Sequence, residues 1–175
     1  GKHPSRIGIT DWITSENPPS ELWNKLRKNQ KLIQPKNKHA LPLEEFTMAE
    51  ALQTAGYPTF YAGKWHLGDN YSFLPEQRGF KETFYHKGGG VGQTPDYWNN
   101  DYQDDIYFRN GEPEESKGYC TDVFFEEAIS FINKNKENPF LCFLSLNAPH
   151  SPFNVPKEYY DCLLYTSDAA DDVYC

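Results

Sequence analysis

The chain has 175 residues, which is enough for one domain with a hydrophobic core, and a second full domain is not expected. Its 17 Lys and Arg against 25 Asp and Glu give a formal charge of −8 without a basic cluster, so neither nucleic acid nor an anionic membrane is expected as a partner. No apolar run approaches the ~20 residues that a membrane span requires. An anionic small substrate stays compatible with this composition, because a binding site needs only a few local cations.

The first helix is predicted well inside the chain. Residues 1–42 are rich in Pro, Lys and Asn, and they predict loops with at most a short helix near residues 21–28. The first clear helix follows them. Thr47 and Glu50 form a T-x-x-E capping box, and Gly56 is placed to end the helix.

A strand is predicted next, at residues 59–62, and a lysine and a histidine two positions apart follow it between two glycines. The stretch reads YAGKWHLGDN. Glycines at such positions indicate a backbone that turns sharply or admits a close neighbour. If the backbone is extended here, Lys64 and His66 share one side and Trp65 packs on the other.

Residues 69–118 combine glycines, aromatic residues and acids with little periodicity, which predicts a long, irregular but ordered excursion. The glycines of 88–92 lack the Lys-Ser/Thr ending of a phosphate loop and are interpreted as a flexible turn. The acids and amides of 96–105 do not match an EF-hand and are interpreted as a solvated loop. Their interleaved aromatic residues offer an alternative, a wall on which sugar rings stack: Tyr97, Trp98 and Tyr102.

A second helix is predicted to begin near Thr121 or Asp122, either of which can cap it. Lys134 and Lys136 suit its carboxyl end through the helix dipole. Apolar residues at helical spacing predict its buried face: Phe124, Ala128, Phe131 and Ile132.

The run FLCFLSL, residues 140–146, is almost continuously apolar, which predicts a central strand of a parallel sheet, buried on both faces. Two helix-then-strand units, each followed by a histidine-bearing loop, therefore predict an α/β fold with a mainly parallel sheet flanked by helices. Ligands of open α/β sheets bind outside the carboxyl ends of the strands, where Lys64, His66 and His150 would lie.

These three side chains suit the hydrolysis of an anionic ester. A lysine holds an oxyanion, and histidines donate hydrogen bonds or move protons near neutral pH. The alternative interpretation makes Lys64 and His66 part of a solvated surface loop and His150 part of a well-satisfied turn.

Longer stretches resemble one family. GYPTFYAGKWHLG, residues 56–68, resembles the second signature of the sulfatases, and PFLCFLSLNAPHSPF, residues 139–153, resembles the strand and Ala-Pro-His-x-Pro loop found later in those enzymes. GKHPSRIGITDWI, residues 1–13, is similar to the stretch just after their first signature. The similarity to type I (formylglycine-dependent) sulfatases, of the alkaline-phosphatase-like superfamily, covers nearly all of residues 1–161.

The resemblance implies a sulfuric ester hydrolase that releases inorganic sulfate from a sulfated small molecule or, preferentially, a sulfated glycan. It implies that Lys64 contacts both the formylglycine and the sulfate, and that His66 hydrogen-bonds a hydroxyl of the formylglycine hydrate. His150 would contact the ester oxygen and help the alcohol to leave. The resemblance also implies a periplasmic, secreted or cell-surface location.

The same resemblance implies that important parts of the site lie outside this chain. It aligns Gly1 downstream of the nucleophile, so the formylglycine and the Ca²⁺ ligands are expected elsewhere and no metal ligand is assigned here. Residues 1–161 are interpreted as an incomplete catalytic domain, inactive by itself. Residues 162–175, CLLYTSDAADDVYC, resemble a translated sequencing adapter and are interpreted as a non-native tail.

Two alternatives stay open. One keeps the fold but makes the enzyme a phosphodiesterase or phosphonate hydrolase of the same superfamily. The other is a non-catalytic, glycan-binding protein on a sulfatase-like scaffold. The residue at the nucleophile position would distinguish the first alternative from a sulfatase, because Cys or Ser favours a sulfatase and Thr favours phosphate chemistry. The resemblance implies that paired aspartates bind the Ca²⁺, and their retention would count against the second alternative.

Overall fold

A computed structural model describes residues 1–13, 37–151 and 153–162. The short helix predicted at 21–28 and residues 163–175 of the proposed tail lie outside these ranges. The helices and strands follow one another as α1 (Met48–Thr54), β1 (Thr59–Lys64), β2 (Glu82–His86), β3 (Ile106–Arg109), β4 (Glu112–Glu115), α2 (Cys120–Asn135) and β5 (Leu141–Ser145). No helix in the described ranges has the length and apolar character needed to cross a bilayer.

The five strands form one sheet in the order β4-β3-β2-β1-β5. β1 runs parallel to both neighbours, with Ala62 opposite Phe84 of β2 and Leu144 of β5. β3 and β4 extend the β2 side of the sheet as an antiparallel hairpin. The predicted α/β fold is confirmed, and the strands predicted at 59–62 and 140–146 do lie side by side and point the same way.

The capping box of α1 is confirmed. The Glu50 amide donates to the Thr47 hydroxyl over 3.0 Å, and the Glu50 carboxylate accepts from the Thr47 amide over 2.6 Å. Two of the first-turn amides are thereby satisfied. Gly56 lies just past the helix with a φ of 88°, a backbone conformation that favours glycine.

Helix α2 differs from its prediction in two details. It begins at Cys120 with Tyr119 as the N-cap residue, so the prediction that Thr121 or Asp122 caps it is wrong. No side chain caps this end of the helix, and the Cys120 amide donates instead to the Tyr102 carbonyl over 2.8 Å. Three of the four residues of the predicted apolar face are buried, but Ile132 is 38% exposed because it lies beside the stripe that faces the sheet.

The irregular excursion predicted for 69–118 is wrong where β2, β3 and β4 lie. The hairpin between β3 and β4 turns at Asn110 and Gly111, whose φ values are 51° and 90°. An Asn-Gly pair favours this tight turn, and this pair in the sequence could have predicted the hairpin. The strands themselves are only four or five residues long, too short for a clear alternation of apolar and polar residues.

Strand β5 also differs from its prediction, because it pairs only with β1 and forms an edge of the sheet in the described part of the chain. Phe143 at its centre is 41% exposed. A continuous apolar run shows that a strand suits burial on both faces, but it does not show whether neighbours cover those faces.

The two faces of the sheet carry separate cores. Phe60, Ala62 and Phe84 pack toward α2, while Tyr61 and Trp65 pack on the opposite side of the sheet, where α1 lies. Side chains alternate between the two faces along a strand, and Trp65, which follows β1, lies with Tyr61 on the face opposite α2. Trp65 is buried in the core on the α1 side of the sheet. The predicted placement of Lys64 and His66 together on the other side stays a prediction.

Candidate functional site

The carboxyl ends of three parallel strands define the site. Lys64 is the last residue of β1 and lies opposite His86, the last residue of β2. On the other side, Gly63 lies opposite Ser145, the last residue of β5, and His150 follows five residues later. We call this edge of the sheet the rim. As the sequence predicted, it carries Lys64, His66 and His150, and it also carries a third histidine, His86.

Lys64 supplies the positive charge of this rim. Its side chain is half-buried, and among the described residues no acceptor lies within hydrogen-bond or ion-pair distance of its Nζ. Burial lowers the pKa of the ammonium group because the charged form loses water. A partly desolvated cation without a carboxylate partner is suited to hold an anion from outside the chain.

His66 is oriented by the backbone of the first segment. Its Nε2 lies against the carbonyl oxygen of Ile13, so Nε2 carries the proton and donates to that oxygen. Nδ1 remains as an acceptor. Burial, and secondarily the charge of Lys64, lowers the pKa of the His66 imidazole, which keeps the ring neutral at pH 7. The indole ring of Trp12, 64% exposed, meets the His66 ring edge-on with 6.5 Å between centroids.

His150 lies exposed on the loop that leaves β5. Its Nδ1 donates to the carbonyl oxygen of Ser151 over 2.7 Å, which leaves Nε2 as the free nitrogen of the neutral ring. Its backbone amide closes a turn onto the Asn147 carbonyl over 2.9 Å. A proton gained by Nε2 would place a general acid at the edge of the rim.

The glycine loop of residues 88–92 packs against both His66 and His150. A Cβ added to Gly89 would lie 3.3 Å from Cε1 of His66, and one added to Gly90 would lie 3.0 Å from Nδ1 of His150. Because these glycines are consecutive, the two rings lie within roughly 13 Å of each other. The loop is buried up to Val91, unlike the flexible turn that the sequence predicted.

His86 is a candidate that the sequence analysis missed. It is fully buried, its Nδ1 donates to the Lys87 carbonyl over 3.0 Å, and its Nε2 has no partner among the described residues. Burial lowers its pKa to about 4, so the ring is neutral at pH 7. The available signal was the stretch FYHKGGG, in which a histidine ends a short apolar run just as Lys64 ends β1.

The predicted sugar-binding wall is wrong for Tyr102, which is only 2% exposed, while Tyr97 and Trp98 are 39% and 90% exposed. The acids around them are not all solvated either. Asp105 is buried and accepts hydrogen bonds from two backbone amides and the Tyr107 hydroxyl. This carboxylate therefore organises the loop instead of facing water.

The described residues show no cluster of metal ligands, and burial makes two of their thiols less acidic. No group of three or more His, Cys, Asp or Glu in the described ranges is placed to hold a metal ion. Burial raises the pKa of the Cys120 thiol to about 12, and it also raises the pKa of Cys142. Neither thiol ends a strand at the rim, so the expected Ca²⁺ and formylglycine stay predictions about residues elsewhere.

Comparison with known proteins gives one consistent family. A family model described as Sulfatase matches residues 19–163. The arylsulfatase of Klebsiella aerogenes is 35% identical over 121 residues, which cover 65% of this chain and 26% of that protein. The ulvan-active sulfatase of Formosa agariphila is 32% identical over 133 residues, which cover 69% of this chain and 24% of that protein.

Solved structures agree with the sequence comparison. The crystal structure of Ps i-CgsB in complex with k-i-k-neocarrahexaose superposes with a TM-score of 0.67 and 25% sequence identity, over 90% of this chain and 34% of that one. The chain spans about a quarter of the length of the curated relatives that it matches.

Proposed function

Because this chain belongs to the sulfatase family, we propose that it forms the sulfate-binding part of an enzyme that hydrolyses sulfate esters of glycans. The observation that carries the proposal is Lys64, a half-buried cation without a partner among the described residues, at a rim that it shares with His66 and His150. The ulvan-active relative and the saccharide complex support a glycan as the substrate.

Each side chain has a distinct task in this proposal. The Lys64 ammonium binds an oxygen of the sulfate and offsets the charge that develops as the ester bond breaks. His66, neutral and held by Ile13, presents Nδ1 as an acceptor toward the nucleophile's hydroxyl. His150 delivers a proton from Nε2 to the leaving oxygen. A formylglycine and a Ca²⁺ ion from outside the described residues would supply the nucleophile and further charge neutralisation.

The proposed function is tested on the full-length protein by measuring inorganic sulfate released from a panel of sulfated oligosaccharides. Release of sulfate, with no cleavage of phosphodiesters or phosphonates of the same alcohols, is expected. Cleavage of the phosphorus esters alone would favour the phosphodiesterase alternative. Binding of the oligosaccharides without any turnover would favour the non-catalytic alternative.

The 175-residue chain by itself is expected to release no sulfate from an aryl sulfate. The reason is that the described residues hold no cluster of metal ligands and that burial disfavours the thiolate of Cys120 by raising its pKa. The measurement is a colorimetric assay of the purified chain beside the full-length protein. Turnover by the chain alone would show that its nucleophile lies within residues 1–175.

We further propose that Trp12 is a stacking surface for the sugar ring next to the sulfate. Its exposed indole lies beside His66, and its backbone is fixed because the Asn37 amide donates to the Trp12 carbonyl over 2.9 Å. Trp12→Ala is expected to raise KM for a sulfated oligosaccharide by about tenfold with a smaller change in kcat. Phe46→Ala, an equally exposed aromatic residue beside α1, is the control.

Trp98→Ala tests the remaining part of the predicted sugar-binding wall in the same assay. A rise in KM for Trp98→Ala but not for Trp12→Ala would move the sugar-binding surface to the 96–105 loop. We also propose a periplasmic, secreted or cell-surface location, which fractionation of the producing cells would test.

A further inference from the structure

A buried tyrosine hydroxyl braces the loop that carries His150. The Tyr102 hydroxyl donates to the His150 carbonyl oxygen over 3.0 Å, and the Asn147 side-chain amide donates to the oxygen of the same hydroxyl. The hydroxyl therefore both donates and accepts, and it ties two residues of one turn to a distant segment of the chain. Tyr102 is separated from His150 by 48 positions in the sequence.

Tyr102 is itself held firmly. Its backbone amide donates to the Asp105 carboxylate over 3.0 Å, and its carbonyl oxygen accepts from the Cys120 amide over 2.8 Å. Its φ of 85° is uncommon for a residue other than glycine, and the surrounding contacts must offset the strain of this backbone conformation. Burial raises the pKa of the Tyr102 hydroxyl to about 12, so the hydroxyl keeps its proton near neutral pH.

The other hydrogen bonds of the loop do not fix its position. In the described part of residues 147–151, the turn from His150 to Asn147 and the bond from His150 to Ser151 both stay within the loop and move with it. The hydrogen bonds of Tyr102 are the ones that join this loop to another segment. Loss of the hydroxyl would leave the exposed His150 held less directly, by a bond four residues further on in which the Asn154 side-chain amide donates to the Asp101 carbonyl over 3.2 Å.

We propose that Tyr102 is a positioning residue for His150, holding its imidazole where Nε2 can protonate the leaving alcohol. The inference rests on the proposed sulfatase function. In the step concerned, the deprotonated oxygen of the nucleophile forms a bond to sulfur while the sulfur–oxygen ester bond breaks. The leaving oxygen keeps the electrons of the broken bond and takes the proton from Nε2 of the imidazolium. The neutral ring that results keeps its proton on Nδ1, bonded to Ser151, as in this structure.

A leaving-group comparison separates positioning from a purely structural role. An alcohol that leaves poorly depends on protonation, whereas a nitrophenolate leaves well without it. Tyr102→Phe keeps the ring and removes the hydroxyl. In the full-length enzyme it is expected to lower kcat at least tenfold for a sugar sulfate and less than about threefold for nitrophenyl sulfate.

The matched control is Tyr85→Phe. Tyr85 is also fully buried, and its hydroxyl donates to Glu76 over 3.4 Å, with no described hydrogen bond from either residue to Tyr102 or to the His150 loop. Loss of this hydroxyl is expected to change kcat for the two substrates by the same factor. The thermal unfolding midpoint of each variant reports its stability, and Asn147→Ala, which removes the donor to Tyr102, offers a second route to the same pattern should Tyr102→Phe not fold.

If Tyr102→Phe and Asn147→Ala each lower kcat by the same factor for the sugar sulfate and for nitrophenyl sulfate, the inference is overturned while the sulfatase proposal stays intact. A selective loss of kcat on the sugar sulfate in Tyr85→Phe would overturn it as well, because that hydroxyl contacts neither Tyr102 nor the loop. Wild-type protein that releases sulfate from neither substrate would instead reject the proposed function itself.

Discussion

Lys64→Ala is expected to lower kcat/KM of the full-length enzyme for a sulfated oligosaccharide by about 10³-fold, because it removes a preorganised charge from the developing anion. The side chain is half-buried and makes no described ion pair, so its removal is not expected to weaken the fold. Steady-state kinetics give the loss, and circular dichroism with thermal unfolding checks the fold.

Lys117→Ala is the control for the general effect of removing a positive charge, since its side chain is 82% exposed and lies 3.9 Å from Asp104 at the nearest approach. It is expected to leave kcat/KM within a factor of about two, because exposed ion pairs contribute little. A Lys64→Ala enzyme as active as wild type would reject the site.

The pH dependence of substrate binding gives Lys64 a second readout. Burial places its pKa below the usual value for lysine, so the charge that binds the sulfate is present below that pKa and is lost as the pH rises through it. KM for the sulfated substrate should therefore rise at alkaline pH. Lys64→Arg should remove this rise, because arginine stays protonated across the whole range. A rise that persists in the arginine variant would assign the titration to another group.

Gly63→Ala is expected to destabilise the protein by about 3 kcal/mol or more, through backbone strain and a steric clash together. Gly63 has a φ of 107°, and a Cβ there would lie 2.0 Å from the carbonyl oxygen of Ser145. Ser145 is a backbone neighbour in β5, so neither strand can relax without breaking their pairing. Urea denaturation of the full-length protein would show a lower midpoint at an unchanged slope.

Gly56→Ala separates the clash from the strain. Gly56 has a similar φ of 88°, but nothing lies within 4 Å of a Cβ placed there. Its substitution carries only the conformational cost, about 1 kcal/mol. Equal destabilisation by the two substitutions would mean that the contact with Ser145 adds nothing.

Much of the site could be predicted because its parts follow strands that the sequence reveals. The apolar runs before Lys64 and before His150 predicted two parallel strands, and parallel strands end at the same edge of a sheet. His86 was missed because β2 is short and its neighbours in sequence show no clear period. The roles assigned to Lys64, His66 and His150 stay predictions that the substitutions above test.

The sequence by itself determined the features that depend on residues a few positions apart. The Thr47–Glu50 capping box follows from hydrogen bonds between residues three positions apart.

Only the tertiary structure decided which polar and aromatic groups are buried, because burial depends on segments distant in the chain. Tyr102 lies in a stretch whose acids and aromatic residues predicted a sugar-binding surface. Packing instead buries it and places its hydroxyl 3.0 Å from the His150 carbonyl oxygen. β5 has the apolar composition of a central strand, yet Phe143 stays partly exposed at the sheet edge. The composition sets how much apolar surface can be buried, and the positions of neighbouring segments decide which side chains are buried.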